Sequence, residues 1–127
     1  MVVKINGKIT IKRYPFRGYD TSFIFCNEKN EHIAICFNSE TEGSENFQSY
    51  NDLHFKDNTV IAKKYLQVNI SKDENFNCDS GSKYIFTITT SENKSYKIVL
   101  SNNHNGWYYH KVVIDSNGYL TWSSEIW

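Results

Sequence analysis

The sequence predicts an all-β protein: an antiparallel β-sandwich or partly closed barrel of about eight or nine short strands joined by hairpins, with possibly one short helix. β-Branched and aromatic residues are plentiful, whereas alanine occurs only at Ala34 and Ala62. Short apolar stretches alternate with polar residues, and turn-forming residues separate them at regular intervals. Because no repeat or linker divides the chain, we expect residues 1–127 to form a single β-rich domain.

The strongest element is a hairpin from Trp107 to Trp122, whose two arms are rich in aromatic and β-branched residues. The segment Asp115-Ser116-Asn117-Gly118 between them is typical of a four-residue loop, a type I turn followed by a left-handed glycine. This loop places Ile114 opposite Tyr119. Both faces are then largely apolar, so the hairpin either lies centrally in a sheet or presents aromatic rings to a partner.

The N-terminal residues predict a second hairpin. Val2–Ile5 and Lys8–Arg13 flank Asn6-Gly7, the preferred dipeptide of a two-residue type I′ turn. Pro15-Phe16-Arg17-Gly18 is the turn that ends this hairpin.

A central pair of strands follows at Thr21–Cys26 and His32–Phe37, the most continuously apolar part of the chain. A turn over Asn27–Asn30 pairs Cys26 with Glu31 and Thr21 with Cys36.

The cysteines indicate reduced thiols. Their number, three, is odd, and the register above sets Cys26 and Cys36 at opposite ends and on opposite faces of the strand pair. Free thiols in turn favour a cytoplasmic protein.

The second half of the chain predicts one weak helix and three strands. Phe47, Tyr50 and Leu53 recur at a spacing of three, which is compatible with one short helix. Thr59–Ile70 is a long strand in which Lys63-Lys64 marks a bulge or bend where the sheet turns a corner.

The strands Tyr84–Thr90 and Tyr96–Leu100 then form a hairpin with a three-residue loop over Glu92, Asn93 and Lys94. This loop places Tyr84, Phe86 and Ile88 beside Tyr96, Ile98 and Leu100.

The charge balance excludes several partners. Fourteen basic and fourteen acidic residues give a formal net charge of zero, which argues against nonspecific binding to nucleic acid or to an anionic membrane. No apolar run is long enough to span a bilayer, and the start of the chain lacks a signal-peptide pattern. We therefore expect a cytoplasmic location.

Histidine offers the main alternative chemistry. His104 and His110 flank Gly106-Trp107, and His54 and Cys78 could join them, but no CxxC, HxH or HExxH spacing is present. We therefore expect no metal, no cofactor and no enzymatic activity. The alternative is a small hydrolase or ribonuclease that uses His104 and His110 as an acid–base pair.

The aromatic residues are also compatible with an alternative function, that of a carbohydrate-binding module. Flat rings match the apolar faces of sugars, and nearby asparagines can reach hydroxyl groups. The rings are Trp107, Tyr108, Tyr109, Trp122 and Trp127, with Asn102, Asn103 and Asn105 close by.

The segment from Ser39 to Asn46 carries Glu40, Glu42 and Glu45 and breaks every periodicity, which predicts an exposed acidic loop. Such a loop is suited to docking a basic protein partner. In size, expected compartment and surface character the chain resembles the immunity proteins, small inhibitors that neutralise bacterial toxins. We therefore predict a binding protein of that type, with oligomeric state open. Its predicted partner-binding residues are Glu40, Glu42, Glu45, Trp107, Tyr109, Trp122 and Trp127.

Overall fold

A computed structural model describes residues 1–39, 47–73, 82–102 and 110–126. Within these ranges the chain forms eleven β-strands and no helix. The strands are β1 (Val2–Asn6), β2 (Ile9–Lys12), β3 (Thr21–Cys26), β4 (His32–Phe37), β5 (Phe47–Asn51), β6 (Val60–Ala62), β7 (Tyr65–Lys72), β8 (Ser82–Thr90), β9 (Ser95–Asn102), β10 (His110–Ser116) and β11 (Tyr119–Ile126).

The strands form two antiparallel sheets that are not closed into a barrel. The five-stranded sheet has the order β1-β7-β8-β9-β5, and the six-stranded sheet has the order β11-β10-β4-β3-β2-β6. The predicted all-β antiparallel sandwich is thus confirmed. The strand number exceeds the prediction, partly because the Thr59–Ile70 stretch forms two strands and the residues around Tyr50 form another.

The hydrophobic core lies between the two sheets, because alternate residues of the strands point inward. Phe23 and Phe37 from one sheet and Phe86 from the other are among its fully buried side chains. Each such side chain stabilises the fold by about 1.5–3 kcal/mol relative to exposure. Burial on the inner faces therefore holds the sandwich together.

The predicted N-terminal hairpin is wrong. β1 pairs with β7, and β2 pairs with β3 and β6, so Asn6-Gly7 carries the chain from one sheet to the other. Both strands bury alternate residues in the shared core, although they lie in different sheets. Glycine is favoured at position 7, because its φ of +113° is one that residues with a side chain rarely adopt.

The predicted helix over Phe47–Leu53 is also wrong. Phe47–Asn51 forms the strand β5, which pairs along β9 from Asn102 to Ile98. Phe47 packs on the core while Tyr50 is exposed, as the period of a strand requires. The spacing of three does not mark a common face, because Phe47 and Tyr50 lie on opposite faces of β5 and Leu53 lies beyond its end.

Two predictions in the second half of the chain are confirmed. β6 and β7 lie in different sheets, and the chain turns the corner at Lys63-Lys64. In the β8–β9 hairpin Phe86 pairs with Ile98. The three-residue loop lies one position earlier than predicted, since the Thr90 N–H donates to the Lys94 carbonyl and Asn93 takes a φ of 60°.

The β3–β4 register differs from the prediction by one residue. Cys26 pairs with His32 and Ser22 with Cys36, because the connection between the strands is one residue longer than predicted. Cys26 and Cys36 therefore share the outer face of the sheet, roughly 14 Å apart along the strand direction. Both are free thiols, as predicted. Cys78 lies outside the described residues.

The β10–β11 hairpin forms, with a tighter turn than predicted. Ser116 pairs with Tyr119 around Asn117-Gly118, whose φ angles of 54° and 89° are those of a two-residue type I′ turn. A register shift beside Ile114 then sets that residue opposite Trp122. The Asn117 side chain accepts a bond from the His32 N–H at 2.7 Å, which ties this turn to β4.

The outer face of the six-stranded sheet is covered by the chain between β2 and β3. Phe16 and Tyr19 pack there on a second apolar cluster formed by Ile24, Ala34, Cys36 and Val113. The turn in this segment closes with the Tyr19 N–H on the Phe16 carbonyl at 3.1 Å, one residue later than predicted.

Candidate functional site

Most of the predicted partner-binding residues lie outside the described residues. These are Glu40, Glu42, Glu45, Trp107, Tyr109 and Trp127, and His104 lies outside them as well. Trp122 is the predicted site residue that the structure describes.

Trp122 belongs to the edge of the core. It is half-buried, and its ring centroid lies 5.6 Å from that of Tyr84 and 5.7 Å from that of Phe86, both edge to face. Rings in this geometry stabilise each other by about 0.5–1.5 kcal/mol beyond their burial. Trp122 thus joins β11 to the five-stranded sheet.

The residues that bound the predicted acidic and aromatic segments are in direct contact. Phe47 follows the segment with the three glutamates, and His110 follows the segment with Trp107 and Tyr109. Their rings stack with centroids 4.0 Å apart and planes at 17°. His110 Nδ1 lies 2.7 Å from the carbonyl oxygen of Asn38, which precedes the acidic segment.

The residues that precede the Trp107 segment and Trp127 lie beside the Phe47–His110 stack. Asn102, which precedes the Trp107 segment, pairs with Phe47 across β9 and β5. Its side-chain Nδ2 also donates to the carbonyl oxygen of Ile126, the residue before Trp127, at 2.8 Å. Asn38, Phe47, Asn102, His110 and Ile126 are hereafter called the end cluster.

His110 has a packing role in the end cluster. Its side chain is 1 % exposed, and no hydrogen-bond partner for Nε2 occurs in the part of the chain that the structure describes. A general acid or base must reach the proton that it transfers, so this burial gives no support to an acid–base pair of His104 and His110.

A second buried polar group lies at the opposite end of β10. The Asp115 carboxylate receives hydrogen bonds from Arg17 Nε and from the Gly118 N–H, both at 2.9 Å, and lies 2.9 Å from His32 Nε2. Sequence reasoning took Asp115 for a turn residue only, since neither Arg17 nor His32 is near it in sequence. We call this group the Asp115 cluster.

The thiols in the second apolar cluster are poor nucleophiles. Burial, with a further contribution from the Asp115 charge, raises the pKa of Cys36 to about 12. Burial also raises the pKa of Cys26. Because the thiolate is the reactive form, neither cysteine is activated in this fold.

Seven large hydrophobic side chains are exposed among the described residues. On the β10–β11 hairpin Tyr119 is 77 % and Leu120 63 % exposed. On the outer face of the five-stranded sheet, Tyr50 is 61 % exposed and pairs with Val99. Tyr50 lines a shallow depression of about 530 Å³, shared with Gln48, Lys83 and Ser101.

A second depression, of about 260 Å³, opens between Phe55, Ile61 and Tyr96, with Lys63 and Lys94 at its rim. In the four described ranges, no three His, Cys, Asp or Glu side chains are grouped as a metal ion would require. Those ranges also contain no helix that could cross a membrane.

Comparison with models of known protein families, with curated proteins and with solved structures found no match to this chain.

Proposed function

We propose that this is a non-enzymatic, cytoplasmic binding protein of the immunity type, which binds and neutralises a basic protein partner such as a toxin nuclease. The binding surface in this proposal is the end of the sandwich that carries the end cluster. Its proposed residues are Glu40, Glu42, Glu45, Trp107, Tyr109, Trp122 and Trp127, of which Trp122 is half-buried at the edge of the core.

One observation carries the proposal: the end cluster joins the boundaries of three segments that are far apart in sequence. The stack of Phe47 on His110 links the residues that follow the acidic and the aromatic segments. The bond from Asn102 to Ile126 brings the residue that precedes Trp127 to the same end. Loops held at one end of a rigid scaffold are a common way of building a binding surface.

In this proposal the acidic side chains and the aromatic rings affect different rate constants of binding. Carboxylates attract a basic partner from a distance, within a Debye length of about 8 Å at physiological salt, and so raise the association rate. A desolvated aromatic ring anchors the complex once it has formed and so lowers the dissociation rate.

The test is binding kinetics on the partner that the tagged protein captures from its own cells. Replacing Glu40, Glu42 and Glu45 together with glutamine should slow association about tenfold at low salt and weaken its salt dependence. Trp127→Ala should mainly accelerate dissociation. The control is Glu28→Gln with Glu31→Gln, two exposed residues at the other end of β4, which should leave both rates unchanged.

Unchanged association of the triple variant at low salt would remove the acidic segment from the site. An equal loss in the control variant would show that net charge matters and the position of the charges does not.

A second function, carbohydrate binding, is favoured by the outer face of the five-stranded sheet. The exposed ring of Tyr50 lies beside Gln48, Lys83 and Ser101, which offer an amide, an ammonium and a hydroxyl group around a flat aromatic surface. A glycan array with the wild-type protein and Tyr50→Ala tests this. Binding that Tyr50→Ala abolishes would support it, whereas an array without any bound glycan would reject it.

A further inference from the structure

A row of three apolar side chains crosses the outer face of the five-stranded sheet. Tyr50 pairs with Val99, and Val99 pairs with Ile85, so the three side chains lie side by side on β5, β9 and β8. Tyr50 is exposed, and Val99 and Ile85 are partly exposed. The residue paired with Ile85 on β7 is Ser71, where the apolar row ends. We call these three side chains the Tyr50 row.

Polar side chains lie on both sides of the Tyr50 row. Side chains on one face of a strand recur at every second residue, about 6.8 Å apart, so the next outward positions flank the row closely. Those positions hold Gln48, Ser101 and Lys83 on one side and Lys97, Thr87 and Asn69 on the other. The shallow depression beside Tyr50 lies against the first of these two lines. The apolar surface is therefore one side chain wide and is bordered by amide, hydroxyl and ammonium groups.

The charges beside the Tyr50 row balance. Lys83 Nζ lies 3.7 Å from Asp73 Oδ2, and the Asp52 carboxylate accepts a hydrogen bond from the Lys97 N–H at 2.7 Å. The two ammonium groups that flank the row are thus accompanied by two carboxylates. A surface balanced in this way attracts neither a polyanion such as nucleic acid nor a polycation, and it suits a neutral ligand.

The width of the Tyr50 row favours a narrow ligand over a protein. Stable protein complexes bury roughly 800 Å² on each partner, far more than three side chains in single file can offer. Neighbouring strands lie about 4.8 Å apart, so the row is roughly 10 Å long from β5 to β8. A ligand that fits this surface is flat, apolar on its face and polar along both edges.

We infer that the Tyr50 row binds a neutral, extended oligosaccharide of equatorially linked pyranoses, with one sugar ring on each of β5, β9 and β8. Equatorial linkages make such a chain a flat ribbon, whose ring faces carry C–H groups and whose edges carry hydroxyl groups. The ring faces pack on Tyr50, Val99 and Ile85, and the hydroxyl groups bond to the flanking polar side chains. The rings of the ribbon recur at nearly the spacing of the strands. This inference rests on the second function, carbohydrate binding, and names its ligand class.

The first test is an array of tetrasaccharides probed with the full chain. Cellotetraose, xylotetraose, β-mannotetraose and chitotetraose are neutral, equatorially linked ribbons, whereas maltotetraose contains axial linkages and coils. The hyaluronan tetrasaccharide is extended but carries carboxylates. We expect at least one of the neutral ribbons to bind, and maltotetraose and hyaluronan not to bind. Binding confined to the coiled or the charged glycans would overturn the inference and leave carbohydrate binding standing.

The second test is the dependence of affinity on chain length, measured by calorimetry with the monosaccharide to the tetrasaccharide of the bound ribbon. Each added ring should raise the association constant by about threefold or more up to the trisaccharide, because each contacts one further apolar side chain. The tetrasaccharide should gain no more than about twofold, the statistical factor for two ways of filling three positions.

The matched variants are Ile85→Ala and Thr89→Ala, which shorten two outward side chains of β8. Ile85→Ala should lower the affinity for the trisaccharide by about threefold or more, toward that for the disaccharide. Thr89 pairs with Gln67 and Ser95, outside the Tyr50 row and its two flanking lines, so Thr89→Ala should bind like wild type.

The outcomes separate this inference from the second function. A single ring that binds as tightly as three, or an Ile85→Ala variant that binds the trisaccharide like wild type, would overturn the inference, while a loss of binding in Tyr50→Ala would still support carbohydrate binding. An array without any bound glycan would overturn both. The length series on the wild-type protein decides even if Ile85→Ala does not fold.

Discussion

The strand β10 carries a buried polar side chain near each of its ends, and the two side chains differ in their hydrogen-bond partners. Asp115 is 2 % exposed, and its two carboxylate oxygens are contacted by Arg17, His32 and Gly118. His110 is 1 % exposed, and in the described residues only its Nδ1 is hydrogen-bonded, to Asn38. The imidazole also stacks on the ring of Phe47.

Asp115 and His110 thus stabilise the fold in two different ways, the first by hydrogen bonds and ion pairs and the second by packing. A buried carboxylate with all its partners fixes several segments in one geometry, and removing it leaves those partners unsatisfied. A stacked ring gains mainly from burial and shape, which other apolar side chains can supply. The Asp115 end should therefore be sensitive to substitution, and the His110 end tolerant of it.

The largest effect should come from Asp115→Ala. It removes the acceptor of three groups from different segments, and we expect the free energy of unfolding in urea to fall by about 3 kcal/mol. Glu125→Ala on the same hairpin is the control, since Glu125 is exposed and its loss should cost under about 0.5 kcal/mol. Equal effects of the two substitutions would contradict the structural role of Asp115.

Alkaline pH should act between the two ends, through Cys36, which pairs with Val113 in the middle of β10. The pKa of its thiol is raised in the folded protein from 9.0 to about 12, so the folded state holds the proton more tightly than the unfolded state does. The resulting stability is fully present below pH 9 and is lost between pH 9 and about 12, about 2 kcal/mol of it by pH 10.5.

This effect is measured as the change in unfolding free energy between pH 8 and pH 10.5. Cys36→Ala should remove about 2 kcal/mol of that change, because it removes the titrating group. An identical pH dependence in the variant would show that burial does not hold this thiol in its neutral form.

Arg17→Ala should have a smaller effect than Asp115→Ala. The Arg17 side chain is 53 % exposed, so water screens its interaction with Asp115, and we expect a loss of about 1 kcal/mol. His32 and Gly118 still contact the carboxylate in this variant. Arg17→Lys should recover part of the loss, and a recovery of none would point to the guanidinium geometry as the cause.

The smallest effect should come from His110→Phe. The new ring keeps the stack on Phe47 and removes the buried Nε2, at the cost of the bond to Asn38. We expect the unfolding free energy to change by no more than about 1 kcal/mol in either direction. A loss as large as that of Asp115→Ala would refute the distinction between the two ends.

Alternation and turn residues were sufficient to predict the fold class, because they report local conformation and which residues are buried. They did not identify strand partners. Asn6-Gly7 and Asn117-Gly118 are the same dipeptide, yet the first links two sheets and the second closes a hairpin. The choice depends on where each flanking strand finds a neighbour, which a local pattern does not contain.

The candidate site was predictable only in part for a related reason. The contacts within the end cluster and the Asp115 cluster join residues that are distant in sequence, such as Phe47 with His110 and Arg17 with Asp115. Trp122 could be placed on the hairpin from its pattern, but its packing on Tyr84 and Phe86 depends on the other sheet. Composition predicted the kinds of side chain present, and topology decided which of them meet.

The crossing of the chain at Gly7 has a consequence for how quickly the protein folds. β1 is the first strand of the chain, yet its ladder partner is β7, where Val2 meets Asn69. β4 likewise pairs with the distant strand β10, where Phe37 lies opposite Val112. Sheets assembled from such distant pairs must close long loops before they gain stability, so the protein should fold on a timescale of milliseconds to seconds, as slow-folding sandwiches do.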